Sequence, residues 1–112
     1  MRVYGIKTCD SCRRARGWLD ERGSRYQWWD LREDGIEPAL VQRWLAALGP
    51  EGLVNRRSTT WRGLSPAERE RALQPDTAAR LLMAYPTLIR RPVFEIDDHV
   101  LVGFDAGVRD QL

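Results

Sequence analysis

The 112 residues are enough for one domain with a packed apolar core, and we expect no second domain. The 18 basic and 16 acidic residues nearly balance, and a net charge of +2 argues against nonspecific binding to nucleic acid. No apolar run reaches the roughly 18 residues of a membrane span, and the chain starts on a strand-like pattern instead of a signal peptide. We therefore expect a cytoplasmic protein with no membrane or direct nucleic-acid partner.

The first predicted unit is a strand, a turn and a helix. Arg2 to Ile6 is the strand. From Ser11 to Arg22 the apolar residues recur at helical spacing, and Gly23 stands where a helix C-cap belongs. The junction between strand and helix reads Cys9-Asp10-Ser11-Cys12 and holds both cysteines of the chain.

This Cys-x-x-Cys pair predicts thiol chemistry. Both sulfurs fall in the first helical turn, where backbone N–H groups and the positive end of the helix dipole favour a thiolate. In a reducing cytosol such a pair is more often redox-active or metal-binding than a lasting disulfide. Zinc requires about four ligands, and the chain adds only the distant His99, so we expect no metal site. The alternative is that Cys9 and Cys12 are small apolar packing residues.

A second strand, from Tyr26 to Leu31, is followed by a long helix. That helix begins at Glu37-Pro38 and ends at Gly49-Pro50, and its inward residues are Leu40, Val41, Trp44, Leu45 and Leu48. Residues 51 to 64 show no clean period and are predicted to form a polar loop, in which Trp61 is a candidate to line the site. The other tryptophans at core-like positions, Trp28, Trp29 and Trp44, are interpreted as packing residues.

Two shorter helices are predicted next. Ser65 and Glu68 form a capping box around Pro66, which predicts a short helix from there. A further helix covers about residues 76 to 85, and its inward residues are Ala78, Leu81, Leu82 and Tyr85.

A hairpin follows these helices, with a final short helix allowed after it. Pro92 to Ile96 and His99 to Val102 alternate like two strands, and Asp97-Asp98 makes the tight turn between them. His99 beside that turn is expected to be solvated and not a base. The first two strands, joined by a helix, should run parallel. The prediction is an α/β protein with a thioredoxin-like fold: a four-stranded mixed sheet, flanking helices and a helical insertion at about residues 38 to 85.

Three segments resemble the ArsC/Spx family of arsenate reductase-like proteins, and within it the YffB-like glutathione-dependent thiol reductases. They are residues 4 to 16 (YGIKTCDSCRRAR), 55 to 61 (NRRSTTW) and 86 to 93 (PTLIRRPV), and the closing Val102-Gly103-Phe104 fits the same pattern. The order and spacing match over almost the whole chain. The resemblance implies a thioredoxin-like domain with a helical insertion and a cis peptide bond at Pro92, facing the cysteine turn.

The resemblance also implies a set of site residues. In the arsenate reductases of this family a cysteine thiolate attacks the oxyanion, glutathione resolves the adduct, and arginines bind the anion. By matching position the nucleophile is Cys9, and the anion-binding arginines are Arg56 and Arg91. Arginine is a permanently charged, forked donor that suits oxyanions and carboxylates and lowers the pKa of a nearby thiol. Their neighbours Arg57 and Arg90 keep the alternative open, because most arginines lie on the surface.

Arg13 is a further candidate for the site. With Arg14 and Arg16 it forms either a solvated helix face or, for Arg13 above all, a source of positive potential near the thiolates.

The chain also departs from the arsenate reductases. They carry a serine where this chain has Cys12, a histidine near the position of Gly5, and a third anion-binding arginine that is absent around residues 102 to 104. These departures weaken the assignment of arsenate as the substrate. The Spx branch has the cysteine pair as a reversible redox switch and binds RNA polymerase. Cys12 is accordingly either a resolving thiol for Cys9 or a packing residue.

Three functions remain open. The leading hypothesis is a thiol-dependent oxidoreductase in which Cys9 attacks a disulfide, a mixed disulfide or an oxyanion, with no bound cofactor and with glutathione or glutaredoxin as the reducing partner. The alternative is a non-enzymatic redox sensor that binds RNA polymerase and switches when Cys9 and Cys12 pair. The third is a member of the family fold that serves only as an interaction module.

Overall fold

A computed structural model describes all residues, 1–112. The elements in chain order are β1 Arg2–Gly5, α1 Asp10–Glu21, β2 Gln27–Asp30, α2 Pro38–Leu53, α3 Thr59–Gly63, α4 Pro66–Ala72, α5 Pro75–Ala84, a 3₁₀ turn Pro86–Leu88, β3 Val93–Ile96, β4 His99–Val102 and α6 Ala106–Arg109. They belong to two compact units: a sheet unit of Met1–Gly35 with Arg91–Leu112, and a helical unit of Ile36–Arg90. The helical unit contains the predicted insertion.

The sheet unit contains the predicted four-stranded mixed sheet, in the order β2-β1-β3-β4. β1 and β2 run parallel, with Val3 opposite Trp28. The pairs β1 with β3 and β3 with β4 are antiparallel, and Phe94 lies opposite both Val3 and Leu101. The strand after a helix crossover is parallel and the strands of the hairpin are antiparallel, as the connections require.

α1 packs on this sheet through the face that its apolar spacing predicts. Ala15 and Leu19 are fully buried and join Val3, Phe94 and Val108 in one core cluster. The helix ends because Gly23, with a φ of 67°, adopts the left-handed conformation that glycine permits.

The buried carboxylate of Asp30 anchors the loop between β1 and α1 by a hydrogen bond. Asp30 is 1% exposed at the end of β2. Its Oδ2 accepts the backbone N–H of Lys7 at 2.9 Å, and its Oδ1 accepts those of Arg32 and Glu33 at 2.8 and 2.9 Å. Burial alone would raise the pKa of this carboxyl, but the three backbone donors and the charge of Lys7 outweigh burial and lower it. The loop that leads to Cys9 is therefore tied to the end of the neighbouring strand.

In the helical unit, α2 consists of two helical segments that meet at Gly49. Gly49 has a φ of 70° and a ψ of 166°, so the helical conformation breaks there as predicted. The predicted end of the helix at Gly49-Pro50 is therefore confirmed, and a separate helical turn begins at Pro50 and continues to Leu53, inside the segment predicted as a loop. Proline is well suited to the first position of a helical turn, since it needs no hydrogen bond for its nitrogen there. Trp44 is fully buried, as predicted.

Part of the predicted loop at residues 51 to 64 is also helical. Ser58 caps α3 by accepting the backbone N–H of Trp61 at 3.0 Å. A helix of this length is too short to show an apolar period, so the cap was its only sequence signal. The capping box of Ser65 and Glu68 is confirmed at the start of α4.

Two aromatic residues predicted to pack inward are exposed. Tyr85 is 38% exposed because α5 ends at Ala84 and the backbone of Tyr85 leaves the helical conformation. Trp29 is 41% exposed on the edge strand β2, and its Nε1 donates to the carbonyl of Gly35 at 3.0 Å.

We expect Asp30→Asn to lower the free energy of unfolding by about 1–3 kcal/mol at neutral pH, because an amide nitrogen cannot accept one of the backbone donors. A carboxyl whose pKa is depressed by folding contributes stability above its unfolded pKa of about 3.9 and loses that contribution as pH falls through the folded pKa. The difference between variant and wild type should therefore shrink toward about pH 3. Urea unfolding over this pH range measures it.

The control is Asp98→Asn in the exposed hairpin turn, which should change stability little. A loss in Asp30→Asn that is equal at both ends of the pH range would contradict the role of the Asp30 charge.

Candidate functional site

The two cysteines lie at the start of α1 in different surroundings. Cys9 is the N-cap residue, with extended backbone angles, and its N–H donates to the carbonyl of Ile6 at 3.0 Å. Its side chain is partly exposed, whereas Cys12 is fully buried one helical turn later. Both are free thiols. A reactant from solvent can therefore reach Cys9 and not Cys12.

The surroundings of Cys9 favour its thiolate. A hydrogen bond from the Cys12 thiol is the largest influence, and it lowers the pKa of Cys9 against the opposing effect of burial. The Cys12 backbone N–H and the guanidinium of Arg91 lower it further, to about 5. The sulfur makes no capping hydrogen bond of ordinary geometry, so the contribution of that N–H is mainly electrostatic.

The surroundings of Cys12 favour its protonated form. Its hydrogen bond to Cys9 and its burial raise the pKa of the Cys12 thiol, while the backbone N–H of Ile6 and the charge of Arg91 oppose that rise. The pair thus shares one proton asymmetrically at neutral pH: Cys9 is the thiolate and Cys12 the donor.

Of the two adjacent arginines before β3, Arg91 is the one beside the thiolate. It is partly buried, and the Arg91–Pro92 peptide bond is cis, as the resemblance implies. The carbonyl of Pro92 accepts the N–H of Gly103 at 2.9 Å, which fixes this turn against the end of β4. Arg90 is exposed and belongs to the helical unit, where its guanidinium donates to the carbonyl of Gly52 at 3.4 Å.

Arg56 lies in the helical unit, exposed in the turn before α3. Asn55 stabilises that turn by accepting the backbone N–H of Arg57 at 3.0 Å. The role of Arg56 in anion binding stays a prediction from the resemblance.

Arg13 is exposed on α1 and forms an ion pair with Asp10 at 2.5 Å. The shift of the Cys9 pKa is attributed to Cys12 and Arg91, and Arg13 is not among its causes. A contribution of Arg13 to the site therefore stays a prediction.

The remaining candidates are His99, in the sheet unit, and Trp61, in the helical unit. His99 is exposed at the start of β4. In the helical unit, Trp61 is partly buried beside Arg69, whose guanidinium carbon lies 5.6 Å from the ring centre.

No group of three or more histidine, cysteine, aspartate or glutamate side chains is arranged to hold a metal ion. None of the helices is both long and apolar enough to cross a membrane.

Sequence reasoning missed two residues that shape the site. Asp30 is a charged residue at the end of an apolar strand, and this unusual position was the only indication in the sequence of its structural role. Gly5 was noted only as a departure from the family, yet it is the point where β1 lies against the Cys12 sulfur and the Trp28 ring.

Comparison with known proteins gives relatives that align with nearly the full length of the chain. An uncharacterized protein of Haemophilus influenzae is 38% identical over 92% of this chain and 90% of its own length. The global transcriptional regulator Spx of Enterococcus faecalis is 30% identical over 92% of this chain and 78% of its own.

Solved structures share the fold. The YFFB (PA3664) protein has a TM-score of 0.90 and 37% identity, covering 98% of this chain and 96% of its own. An arsenate reductase-related protein from Brucella melitensis has a TM-score of 0.79 and 34% identity, covering 98% and 91%. The predicted thioredoxin-like fold is thus confirmed. Residues 4–111 match the ArsC family, and the chain belongs to that family.

Proposed function

We propose that the protein is a thiol-dependent reductase whose nucleophile is the Cys9 thiolate and whose substrate is a mixed disulfide of glutathione. The observation that carries this proposal is the asymmetry of the cysteine pair. Cys9 is accessible and has a pKa of about 5, whereas Cys12 is buried and protonated. An accessible thiolate held by a hydrogen-bond donor and a cation is the arrangement that thiol–disulfide exchange requires.

The first step exchanges one disulfide for another. The Cys9 sulfur attacks the glutathione sulfur of R–S–S–G, a Cys9–glutathione disulfide forms, and RS⁻ leaves and takes a proton from water. A second glutathione thiolate then attacks this intermediate, which returns Cys9 as a thiolate and releases oxidised glutathione. The net reaction, RSSG + GSH → RSH + GSSG, consumes one glutathione thiol, and the other half of the oxidised glutathione comes from the substrate.

Cys12 offers a second way to release glutathione. Once Cys9 is in a mixed disulfide it carries no negative charge, and the largest cause of the raised Cys12 pKa disappears. Cys12 then loses its proton more easily and attacks Cys9, forming a Cys9–Cys12 disulfide, while the departing glutathione thiolate takes up the proton. Because Cys12 is fully buried, its thiol can attack the Cys9 sulfur but not a disulfide in solution.

Arg91 has a double role in this proposal. It stabilises the Cys9 thiolate and offers a forked cation to the carboxylates of glutathione beside the reacting sulfur. Arg56 is proposed as a second anion-binding residue on the family pattern.

A second candidate function is that of a redox-sensing regulator. The identity of 30% with the transcriptional regulator Spx of Enterococcus faecalis, together with a closely placed cysteine pair, favours it. In that case the Cys9–Cys12 disulfide is the signal and RNA polymerase the partner.

Turnover separates the two functions. In an assay that couples formation of oxidised glutathione to NADPH consumption by glutathione reductase, we expect wild type to reduce a glutathione mixed disulfide and Cys9→Ser to lose the activity. Arsenate serves as a parallel substrate for the oxyanion reaction. Absence of turnover with both substrates, together with redox-dependent capture of RNA polymerase, would establish the regulator instead.

The rate of Cys9 alkylation by iodoacetamide should rise with pH to a plateau, with a midpoint near 5. Cys12→Ala removes the strongest donor, so the midpoint should increase by at least about 1 pH unit. Cys12→Ser retains a hydroxyl donor and should shift it less. Mass spectrometry of the alkylated protein gives the rates. A wild-type midpoint near the free-thiol value of about 8.5 would refute the nucleophile assignment.

Arg91→Gln should reduce kcat/KM for the mixed disulfide by about 10- to 150-fold, because a charge-assisted hydrogen bond to a reacting group is worth about 1.5–3 kcal/mol. Arg90→Gln is the matched control, since the neighbouring side chain points to the Gly52 carbonyl. Equal losses in both variants would remove Arg91 from the site.

A further inference from the structure

Gly5 is the last residue of β1, and the space that a side chain at this position would occupy is filled by the side chains of two other residues. A Cβ atom added to Gly5 would overlap the sulfur of Cys12 and lie 3.0 and 3.3 Å from two carbon atoms of the Trp28 ring. Gly5 is absent from the positions with a positive φ, so the backbone there suits any residue. The glycine is therefore required for space and not for conformation.

We propose that Gly5 is a positioning residue: its missing side chain creates the space that holds the Cys12 sulfur within hydrogen-bonding reach of Cys9. We call this space, bounded by Gly5, the Ile6 N–H and the Trp28 ring, the sulfur pocket. The size of residue 5 then controls the reactivity of Cys9 through Cys12, although residue 5 is not itself a catalytic residue.

The walls of the sulfur pocket are fixed. Gly5 pairs with Asp30 on the parallel strand, and its carbonyl accepts the N–H of Leu31 at 2.8 Å. The Trp28 ring is covered by Arg16, whose guanidinium carbon lies 4.3 Å from the ring centre.

Cys12 has little freedom to move away from these walls. Ala15 and Leu19, on the same face of α1, are fully buried in the core and hold the helix against the sheet. A methyl group at residue 5 must therefore displace the Cys12 side chain, because the strand and the helix backbone cannot separate cheaply. The displaced thiol loses its hydrogen bond to Cys9.

The part of this inference that concerns reactivity rests on the proposed function, because it takes Cys9 to be the thiolate nucleophile. The part that concerns packing does not. The contact between residue 5 and the Cys12 sulfur can be tested by measurements of unfolding stability alone. The experiments can therefore refute the packing inference without refuting the proposed function, and the reverse.

The test is a cycle of Gly5→Ala, Cys12→Ala and the double variant. Gly5→Ala should lower the midpoint of urea unfolding in the wild-type background and lower it much less in the Cys12→Ala background, where no sulfur occupies the space and the partly exposed Trp28 ring can yield. Gly17→Ala is the matched control. It lies on the exposed face of α1 with nothing within 4 Å of an added Cβ, and it should be neutral or stabilising.

The second measurement is the pH midpoint of Cys9 alkylation. It should increase in Gly5→Ala by at least about 1 pH unit, approach the value of Cys12→Ala, and stay unchanged in Gly17→Ala. A purely structural effect of the new methyl group would lower stability without moving this midpoint.

Two results would overturn the proposal. One is an equal loss of stability from Gly5→Ala in both backgrounds, including failure of both variants to fold, because the methyl group would then conflict with something other than the Cys12 sulfur. The other is a folded Gly5→Ala protein whose Cys9 midpoint equals that of wild type. Recovery of folding in the double variant, with Gly5→Ala alone unfolded, supports the proposal. A wild-type Cys9 midpoint near that of a free thiol refutes the proposed function. The stability cycle then still tests whether residue 5 packs against the Cys12 sulfur.

Discussion

The hydrogen bond from the Cys12 thiol to the Cys9 sulfur is the interaction on which the site depends. It assigns the single shared proton to the buried cysteine and leaves the accessible one as a thiolate. The rest of the sheet unit serves to keep these two sulfurs together. β1 ends at the glycine that admits the second sulfur, and α1 carries both cysteines on a helix packed into the core. Arg91 then supplies a positive charge from a different part of the chain.

Much of the fold was predictable because its determinants are local. The alternation of the strands, the period of α1 and the capping box at Ser65 each depend on a few neighbouring residues, and each is confirmed. The errors occur where local patterns are short or end abruptly. α3 spans five residues, too few for a period. Tyr85 continues the apolar pattern of α5 but lies beyond the last helical residue, so its side chain is exposed.

The site was less predictable than the fold, for a physical reason. The Cys-x-x-Cys motif shows that two sulfurs are near each other, but it does not say which one holds the proton. That depends on burial and on Arg91, which is far from both cysteines in sequence. Asp30 and Gly5 act through contacts between segments that are also distant in sequence. The resemblance to a family led to the prediction of Cys9 and Arg91, yet it gave no reason for the glycine.

The position of Trp28 has a consequence for how the redox state of this protein can be observed. Its indole ring borders the same point of β1 as the Cys12 sulfur. A disulfide quenches the emission of a nearby indole more strongly than a thiol does, so the ring acts as an optical reporter built into the protein. A disulfide between the two cysteines, as proposed above, would therefore be expected to lower the tryptophan emission of the unlabelled chain.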